Sequence, residues 1–240
     1  MILVRYLGIL YLVIAIVLVL CKLFRFEGFE NKKGIERVDG IIYINLENRP
    51  DRKILLSEEL NKINIDIDKT QKVAGVYRPK NGHKGCVQSH ILGISIAKMN
   101  QWKNCLILED DAELTTSGEE FQQKLDLIFD YLEGKEWDVI MLATANADKK
   151  PLEGDIKKVN KATTGSAYII NHNYYDTLKD LFEDCNSKMG TEKWGENGDW
   201  EPNALDQRWH PLQEKDNWFG FETDLIKQRA IWSTTNKKSE

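Results

Sequence analysis

Residues 105–111 read Cys105-Leu106-Ile107-Leu108-Glu109-Asp110-Asp111, an apolar strand that runs directly into three consecutive carboxylates. No Lys or Arg adjoins the triplet in sequence, and neighbouring anions raise one another's pKa unless a cation or hydrogen bonds compensate. Hard carboxylate oxygens suit Mg²⁺ or Mn²⁺ rather than zinc, so a divalent cation carrying a phosphate substrate fits here. If strand geometry persists, Glu109 and Asp111 share one face and Asp110 lies on the other. A solvated strand end followed by a turn would give the same triplet, so the rest of the chain must decide.

The segments before the triplet alternate between strand and helix. Residues 41–44 predict a first strand, Pro50 stands where a helix can begin, and residues 51–61 continue as a charged helix. Residues 75–85 predict a turn-rich loop, and apolar residues recur at helical spacing over residues 86–99. A strand followed by a helix is the opening unit of an α/β sheet.

The segments after the triplet continue the alternation and then change character. Residues 121–132 predict an amphipathic helix, 138–142 a buried strand, 167–170 another strand and 174–182 a helix, whereas the polar residues 143–161 predict a loop. The sheet is therefore expected to be mixed and largely parallel. Five of the seven tryptophans fall in the last third, which is predicted to be irregular and aromatic.

The N-terminal segment stands apart from the rest. Residues 2–26 are apolar except for Arg5, Lys22 and Arg25, and no small-residue cleavage site follows them. The uninterrupted apolar part is somewhat short of a full bilayer span, but Arg5 and Lys22 could snorkel. We therefore expect an uncleaved, single-pass membrane anchor over residues 1–27, a stem over 28–40 and one domain over 41–240. Cations lie on both sides of the apolar run, so its orientation stays open.

Charge and cysteine usage limit the partners. The chain has a net charge of −5, and its N-terminal segment is basic, so the remainder is more acidic still. This argues against a nucleic-acid polymer as partner. The four cysteines include no C-x-x-C pair, so their spacing indicates neither a zinc site nor a disulfide framework.

Five short blocks, in this order along the chain, together resemble glycosyltransferase family 25, which contains lipooligosaccharide and collagen galactosyltransferases. The likeness extends over about residues 39–233, and no single block would suffice. The blocks are Ile42-Tyr43-Ile44-Asn45-Leu46 with Arg49 and Arg52, Gly85-Cys86-Val87-Gln88-Ser89-His90, the stretch 106–111, Trp137-Asp138-Val139-Ile140-Met141-Leu142, and Gly165-Ser166-Ala167-Tyr168-Ile169-Ile170.

The resemblance implies a GT-A-like nucleotide-binding α/β sandwich that moves a sugar, galactose or another hexose, from a nucleoside diphosphate donor to a glycan or protein hydroxyl. UDP-sugars are the donors most often used in such families. Glu109 and Asp111 would hold Mn²⁺ or Mg²⁺. The implied donor-binding residues are Asn45, Leu46, Arg49, Arg52, His90 and Asp110. These residues could instead have structural roles without a ligand. Asn45 would then cap a turn, Arg49 and Arg52 would be ordinary surface cations, and His90 would be a hydrogen-bonded structural residue.

The end of the chain resembles the family less closely. Asp206 is the candidate general base for an inverting transfer, with Glu196, Asp199 and Asp224 as substitutes; a helix-start carboxylate is the competing role for Asp206. The family closes with Ser-Asp-Ile, but here Ser233-Thr234-Thr235 lacks the acid. The missing acid leaves open a sugar- or nucleotide-binding module derived from such an enzyme. The acidic triplet leaves open a metal-dependent phosphohydrolase.

Overall fold

The computed structural model of the chain describes residues 32–190 and 201–230. The predicted membrane anchor, residues 1–27, lies outside these ranges, as does the start of the predicted stem. Within the described ranges, no helix combines the length and the apolar character needed to cross a bilayer.

In the described part of the chain, eight strands form the central sheet in the order β2-β1-β3-β8-β5-β9-β7-β6. β1, β2 and β3 are parallel to one another, as are β5 and β9, whereas β8 lies antiparallel between β3 and β5. The sheet is thus mixed, and all of its strands except β7 and β8 run in one direction, in agreement with the sequence analysis. The strands are β1 (Gly40–Asn45), β2 (Gln71–Ala74), β3 (Asn104–Glu109), β5 (Val139–Met141), β6 (Ala145–Pro151), β7 (Ile156–Thr163), β8 (Ala167–Asn171) and β9 (Trp218–Phe221).

A second, two-stranded sheet pairs β4 (Ala112–Leu114) with β10 (Ile226–Gln228). β4 begins immediately after the acidic triplet, and its antiparallel register sets Gln228 opposite Ala112. The C-terminal part of the described chain is therefore placed beside the triplet.

The helices begin where the sequence offers a suitable first residue or cap. Pro50 opens α1 without losing a hydrogen bond, and the side chains of Asn81 and Ser117 cap the helices that follow them. The helices are α1 (Pro50–Lys62), α2 (Gly82–Met99), α3 (Gly118–Tyr131), α4 (Tyr175–Lys188) and the short α5 (Leu205–Arg208) and α6 (His210–Lys215).

Two apolar layers cover the central sheet because successive strand residues point to opposite faces. Ile107 belongs to the layer that holds buried residues of α2 and α4, whereas Leu106 and Leu108 belong to the layer that holds those of α1 and α3. The result is a three-layer α/β/α arrangement. By the same alternation Glu109, the last residue of β3, lies on the α2 side of the sheet.

The prediction of a loop over residues 143–161 was wrong, because this stretch forms most of the β6–β7 hairpin. β6 is the edge strand and is exposed along most of its length, so it carries no apolar residues that would reveal a strand in sequence.

The last third of the chain is also more regular than predicted. Trp209 and Trp218 are fully buried with ring centroids 5.2 Å apart, which places these two tryptophans in the core.

The compact unit that contains the sheet begins at Gly34, earlier than the predicted domain start at residue 41. A short 3₁₀ helix, Gly34–Arg37, is bonded to α3 through the Gly34 amide, which donates to Asp126 Oδ1 at 2.6 Å. A salt bridge between Arg37 and Asp130 adds to this contact. Residues 34–40, which were assigned to the stem, therefore pack as part of the folded unit.

Candidate active site

An open cleft lies at the edge of the sheet where the parallel strands β1, β2 and β3 end. The order β2-β1-β3 means that the chain moves to one side of β1 and then to the other, and open α/β sheets bind ligands at such a switch point. The cleft has a volume of about 620 Å³, part of it open to solvent. Its walls are formed by residues after β1, by the loop after β2, by the first turns of α2 and by the acidic triplet; they include Leu46, Gly75, Val76, Tyr77, Arg78, Gly82, Gly85, Cys86 and His90.

Arg52 on α1 supplies the cation that the acidic triplet lacks in sequence. Its Nη1 donates to Asp110 Oδ1 at 2.7 Å and lies 3.4 Å from Asp111 Oδ2, and all three side chains are buried. Asn45, at the end of β1, donates from Nδ2 to the other oxygen of Asp110 at 2.8 Å. Asp110 is therefore held from both sides, and Arg52 links it to Asp111.

The two oxygens of Asp111 differ in their contacts with the described residues. Oδ2 accepts from Gln228 Nε2 at 3.2 Å as well as from Arg52, whereas the buried Oδ1 has no hydrogen-bond partner in this part of the chain. Burial and the nearby charge of Glu109 raise the pKa of Asp111 to about 7, although Arg52 opposes the shift. A buried carboxylate oxygen without a partner is costly unless a ligand completes it.

Glu109 points towards α2, as the strand alternation requires. Its Oε1 lies 3.1 Å from His90 Nε2 and accepts from Cys86 Sγ at 3.4 Å. Cys86 and His90 are four residues apart, so they share one face of the helix. Burial acts to raise the pKa of Glu109, but the hydrogen bond and charge of His90, together with Cys86 and Arg52, bring this pKa below its usual value.

Asp206 on α5 lies against the loop that leads into β8. Its Oδ2 accepts from the Thr164 amide at 3.0 Å, and the carbonyl of Ser166 accepts from the Glu109 amide at 2.8 Å. The loop thus connects the candidate base to the end of β3. Thr164 has a φ of 76°, which is rare for a β-branched residue and is found mainly where surrounding structure imposes it.

The residues present fit a hard divalent cation beside Asp111. Its Oδ1, which has no partner among the described residues, is buried, and Asp111 and Glu109 both line the cleft. Carboxylate oxygens are the ligands that Mg²⁺ and Mn²⁺ prefer. Arg52 neutralises part of the acidic charge, so the cation would complete a partly compensated cluster.

Comparison with known proteins gives no family match. No family model and no curated protein matches the chain. One similar solved structure is mannose-1-phosphate geranyltransferase from Thermus thermophilus, with 10% identity, 81% of this chain and 75% of the other covered, and a TM-score of 0.45.

Two further structures are similar to the same degree. The first is a glycosyltransferase involved in glycosylation of the major capsid of PBCV-1, with 9% identity, 81% of this chain and 94% of that one covered, and a TM-score of 0.46. The second is UDP-glucose pyrophosphorylase complexed with UDP-glucose, with 11% identity, 79% and 74% covered, and a TM-score of 0.44. Membership of glycosyltransferase family 25 stays a prediction.

The structure brings most of the sequence-predicted residues to one place. Leu46, Arg52, His90 and the triplet 109–111 all line the cleft. Asn45 lies directly behind it and holds Asp110. Arg49 does not contact the acidic triplet in this way, because its guanidinium makes a bidentate salt bridge with Asp51 in the first turn of α1.

Two details of the sequence analysis were wrong. β3 ends at Glu109, and Asp110 and Asp111 form a turn. Strand alternation therefore does not extend through the triplet, and it does not put Glu109 and Asp111 on one face with Asp110 on the other. Instead Asp110 and Asp111 share Arg52, and Glu109 faces α2. The alternative of a surface cation also fails for Arg52, whose side chain is only 8% exposed.

Of the three substitute bases, Asp224 is the one that lies in the described part of the chain. Asp224 accepts from the Thr144 amide at 2.6 Å and from Lys149 Nζ at 2.7 Å, so it ties two loops together. Glu196 and Asp199 lie outside the described residues. Thr234, which stands where the family's closing acid is expected, also lies outside them.

Four residues that contribute to the site were given no role in the sequence analysis. Cys86 was quoted only as part of a block, yet it contacts Glu109. Thr164 has a strained backbone conformation and donates its amide to Asp206. In sequence, the small residues that follow Thr164 are the one sign of this loop. The Gln228 side chain donates to the Asp111 carboxylate, and the Arg229 amide donates to the Asp111 carbonyl. These contacts depend on the pairing of β10 with β4, which the sequence does not reveal.

Proposed function

We propose that this chain is a membrane-anchored glycosyltransferase that moves a hexose, such as galactose, from a nucleoside diphosphate donor to an acceptor hydroxyl with the help of Mn²⁺ or Mg²⁺. The observation that carries the proposal is the buried acidic turn at the switch-point cleft. There Asp111 keeps one oxygen without a partner among the described residues, while Arg52 and Gln228 bind its other oxygen. Residues 1–27 would form the anchor.

The cleft offers suitable surroundings for a nucleoside diphosphate. Gly82 and Gly85 in the first turns of α2 line it, so the positive end of an 18-residue helix faces the cleft. Arg78 adds a cation to the same wall, and Tyr77, which is 57% exposed, adds an aromatic ring. Anionic phosphates and a planar base both have partners of the right chemistry here.

The metal would be held by Asp111 and Glu109 and would supply charge neutralisation for the departing nucleoside diphosphate. Arg52 positions Asp110 and Asp111 and keeps the turn from opening, since both carboxylates are bonded to it. Asn45 fixes the remaining oxygen of Asp110. These contacts hold the carboxylates in one orientation before any donor binds, which reduces the cost of reorganisation during transfer.

Asp206 is the proposed general base that takes the proton of the acceptor hydroxyl. The amide of Thr164 fixes one of its oxygens, so the carboxylate has a defined direction. An inverting transfer needs a base on the acceptor side of the donor sugar. The acceptor, a glycan or a protein hydroxyl, would approach between α5 and the acidic turn.

The test is turnover of a panel of nucleotide sugars by the purified full-length protein, with Mn²⁺ and with EDTA. Metal-dependent release of nucleoside diphosphate from at least one donor is expected, and Asp111→Asn serves as the inactive control. Donor binding without turnover against a broad acceptor panel would favour a binding module instead. Hydrolysis of simple phosphate esters without sugar-nucleotide preference would favour a phosphohydrolase. Absence of both binding and turnover would contradict the proposal.

A further inference from the structure

Cys86, His90 and Glu109 form a cluster whose chemistry differs from that of the acidic turn. The three side chains each offer one ligand atom, and these atoms all lie within 4.8 Å of one another. A thiol, an imidazole and a carboxylate together match the ligand types that bind zinc and similar transition metals. Asp110 and Asp111 take no part in this cluster.

The two distances from Glu109 Oε1 to the other ligand atoms are close to those of tetrahedral coordination. Zinc bonds of about 2.0–2.3 Å at tetrahedral angles put neighbouring ligand atoms roughly 3.3–3.7 Å apart. Glu109 Oε1 lies 3.1 Å from His90 Nε2 and 3.4 Å from Cys86 Sγ. The ligand atoms of Cys86 and His90 lie within 4.8 Å of each other, so they would have to approach by at most about 1.3 Å to hold an ion.

The surroundings of His90 are those of a metal ligand. Its ring is completely buried, and Nδ1 lies 2.9 Å from the hydroxyl of Tyr168, which fixes the ring so that Nε2 faces Glu109. Histidine ligands commonly have their second ring nitrogen bonded in this way. With a metal on Nε2, the ring proton resides on Nδ1, which donates a hydrogen bond to Tyr168 Oη.

The elements that carry the ligands hold them independently of any metal. Cys86 and His90 are adjacent on one face of α2, and Glu109 ends β3, which pairs with β1 and β8. Cys86 and Glu109 are half-buried and line the cleft, so an ion has a route of entry and a fourth position for water or a donor oxygen. The site is open on one side, as catalytic or exchangeable metal sites are.

We propose that Cys86, His90 and Glu109 form a binding site for a borderline transition metal, Zn²⁺ in the first instance, which shares Glu109 with the hard-cation position beside Asp111. Binding replaces the Sγ–H···Oε1 hydrogen bond with a metal–thiolate bond, and the thiol proton leaves to solvent. One proton is therefore released for each ion bound. This metal site does not depend on sugar transfer, and it can be tested separately.

The experiment is a titration of the full-length protein, reduced and metal-free, with Co²⁺ as a spectroscopic substitute for Zn²⁺. One equivalent is expected to give a thiolate-to-cobalt charge-transfer band and the strong visible bands of tetrahedral Co²⁺, and Zn²⁺ is expected to abolish both. Cys86→Ser should remove the charge-transfer band. Cys86 is half-buried and serine has nearly the same shape, so the fold is expected to survive; an unchanged thermal transition checks this.

Two matched variants make the result specific. Cys185→Ser removes a thiol that is fully buried and lies outside the cluster, so it should leave the band intact. Asp111→Asn removes the hard-cation ligand and should also leave the band intact. A band that persists in Cys86→Ser, or its absence from the parent protein, would overturn the proposal. Neither outcome depends on donor turnover, so failure here is distinguishable from failure of the proposed function.

Discussion

At the scale of single residues, Arg52 is what makes the acidic turn possible. It comes from α1, 58 residues before Asp110 in sequence, and it is buried with both carboxylates that it contacts. Breaking a buried ion pair by removing one partner leaves uncompensated charge, which costs about 3–5 kcal/mol. Surface pairs cost far less, with values near 0–1 kcal/mol.

We therefore predict that Arg52→Gln lowers the free energy of unfolding by about 3–5 kcal/mol, as measured by urea denaturation. Lys98→Gln is the control, because its side chain and that of its partner Asp176 are 54% and 67% exposed, and we expect a loss of about 1 kcal/mol or less. Equal losses in the two variants would show that Arg52 does not neutralise the buried turn.

A second prediction at this scale concerns Asp206. Because a general base acts on the acceptor proton and not on the donor, Asp206→Asn should retain nucleotide-sugar affinity but lose transfer by roughly 10²–10⁴-fold. Donor affinity is measured by calorimetry and transfer by product formation under saturating donor. Loss of donor binding in this variant would place Asp206 on the donor rather than on the acceptor.

At the scale of elements, the first turns of α2 pack directly on the loop that follows β2. A Cβ at Gly85 would lie 2.2 Å from the carbonyl oxygen of Val76, so a methyl group cannot fit unless this loop moves. At Gly93, farther along the same helix, a Cβ would lie 3.6 Å from Ile42 and 3.7 Å from Ile107, which are ordinary contacts.

The two glycines give opposite expectations. Gly93→Ala should stabilise the protein by about 0.5–1 kcal/mol, because alanine favours the helix and fits the space. Gly85→Ala should destabilise it by about 1–3 kcal/mol through overpacking and should weaken nucleotide binding, since the displaced loop lines the cleft. Thermal unfolding and UDP titration of both variants check this; similar behaviour of the two would refute the tight packing at Gly85.

The elements also show what sequence could and could not predict. β1, β3, β5 and β8 were found because buried strands read as short apolar runs bounded by turns. The β6–β7 hairpin was missed because β6 is an exposed edge strand without apolar alternation. Local patterns report burial, and an exposed strand is stabilised by pairing that no local pattern records.

At the scale of the whole molecule, the same limit applies to the candidate site. The acidic triplet was visible because its residues are adjacent, but its partners come from α1, β1, α2 and β10, which only the fold brings together. The absence of a C-x-x-C pair gave no hint of Cys86, His90 and Glu109, since these ligands come from a helix and a strand. Sequence spacing detects local ligand sets, whereas this cluster depends on packing.

The membrane anchor is a prediction for the whole chain. The apolar residues 2–26 lead us to expect that full-length protein stays in the membrane fraction after carbonate or high-salt washing. A shortened chain that begins near residue 28 retains the folded unit from Gly34 onward, so it should be recovered in the supernatant. Intact full-length protein in the supernatant would contradict the anchor.

We expect the acidic turn at the switch-point cleft to bind a nucleoside diphosphate through a divalent cation. Calorimetric titration with UDP in the presence of Mn²⁺, for the parent protein and Asp111→Asn, tests it most directly. We predict that the parent protein binds UDP in a Mn²⁺-dependent manner. Because the substitution removes one charge at nearly constant shape, the variant should lose this dependence but keep its thermal transition. Mn²⁺-dependent UDP affinity that is unchanged in Asp111→Asn would contradict the assignment.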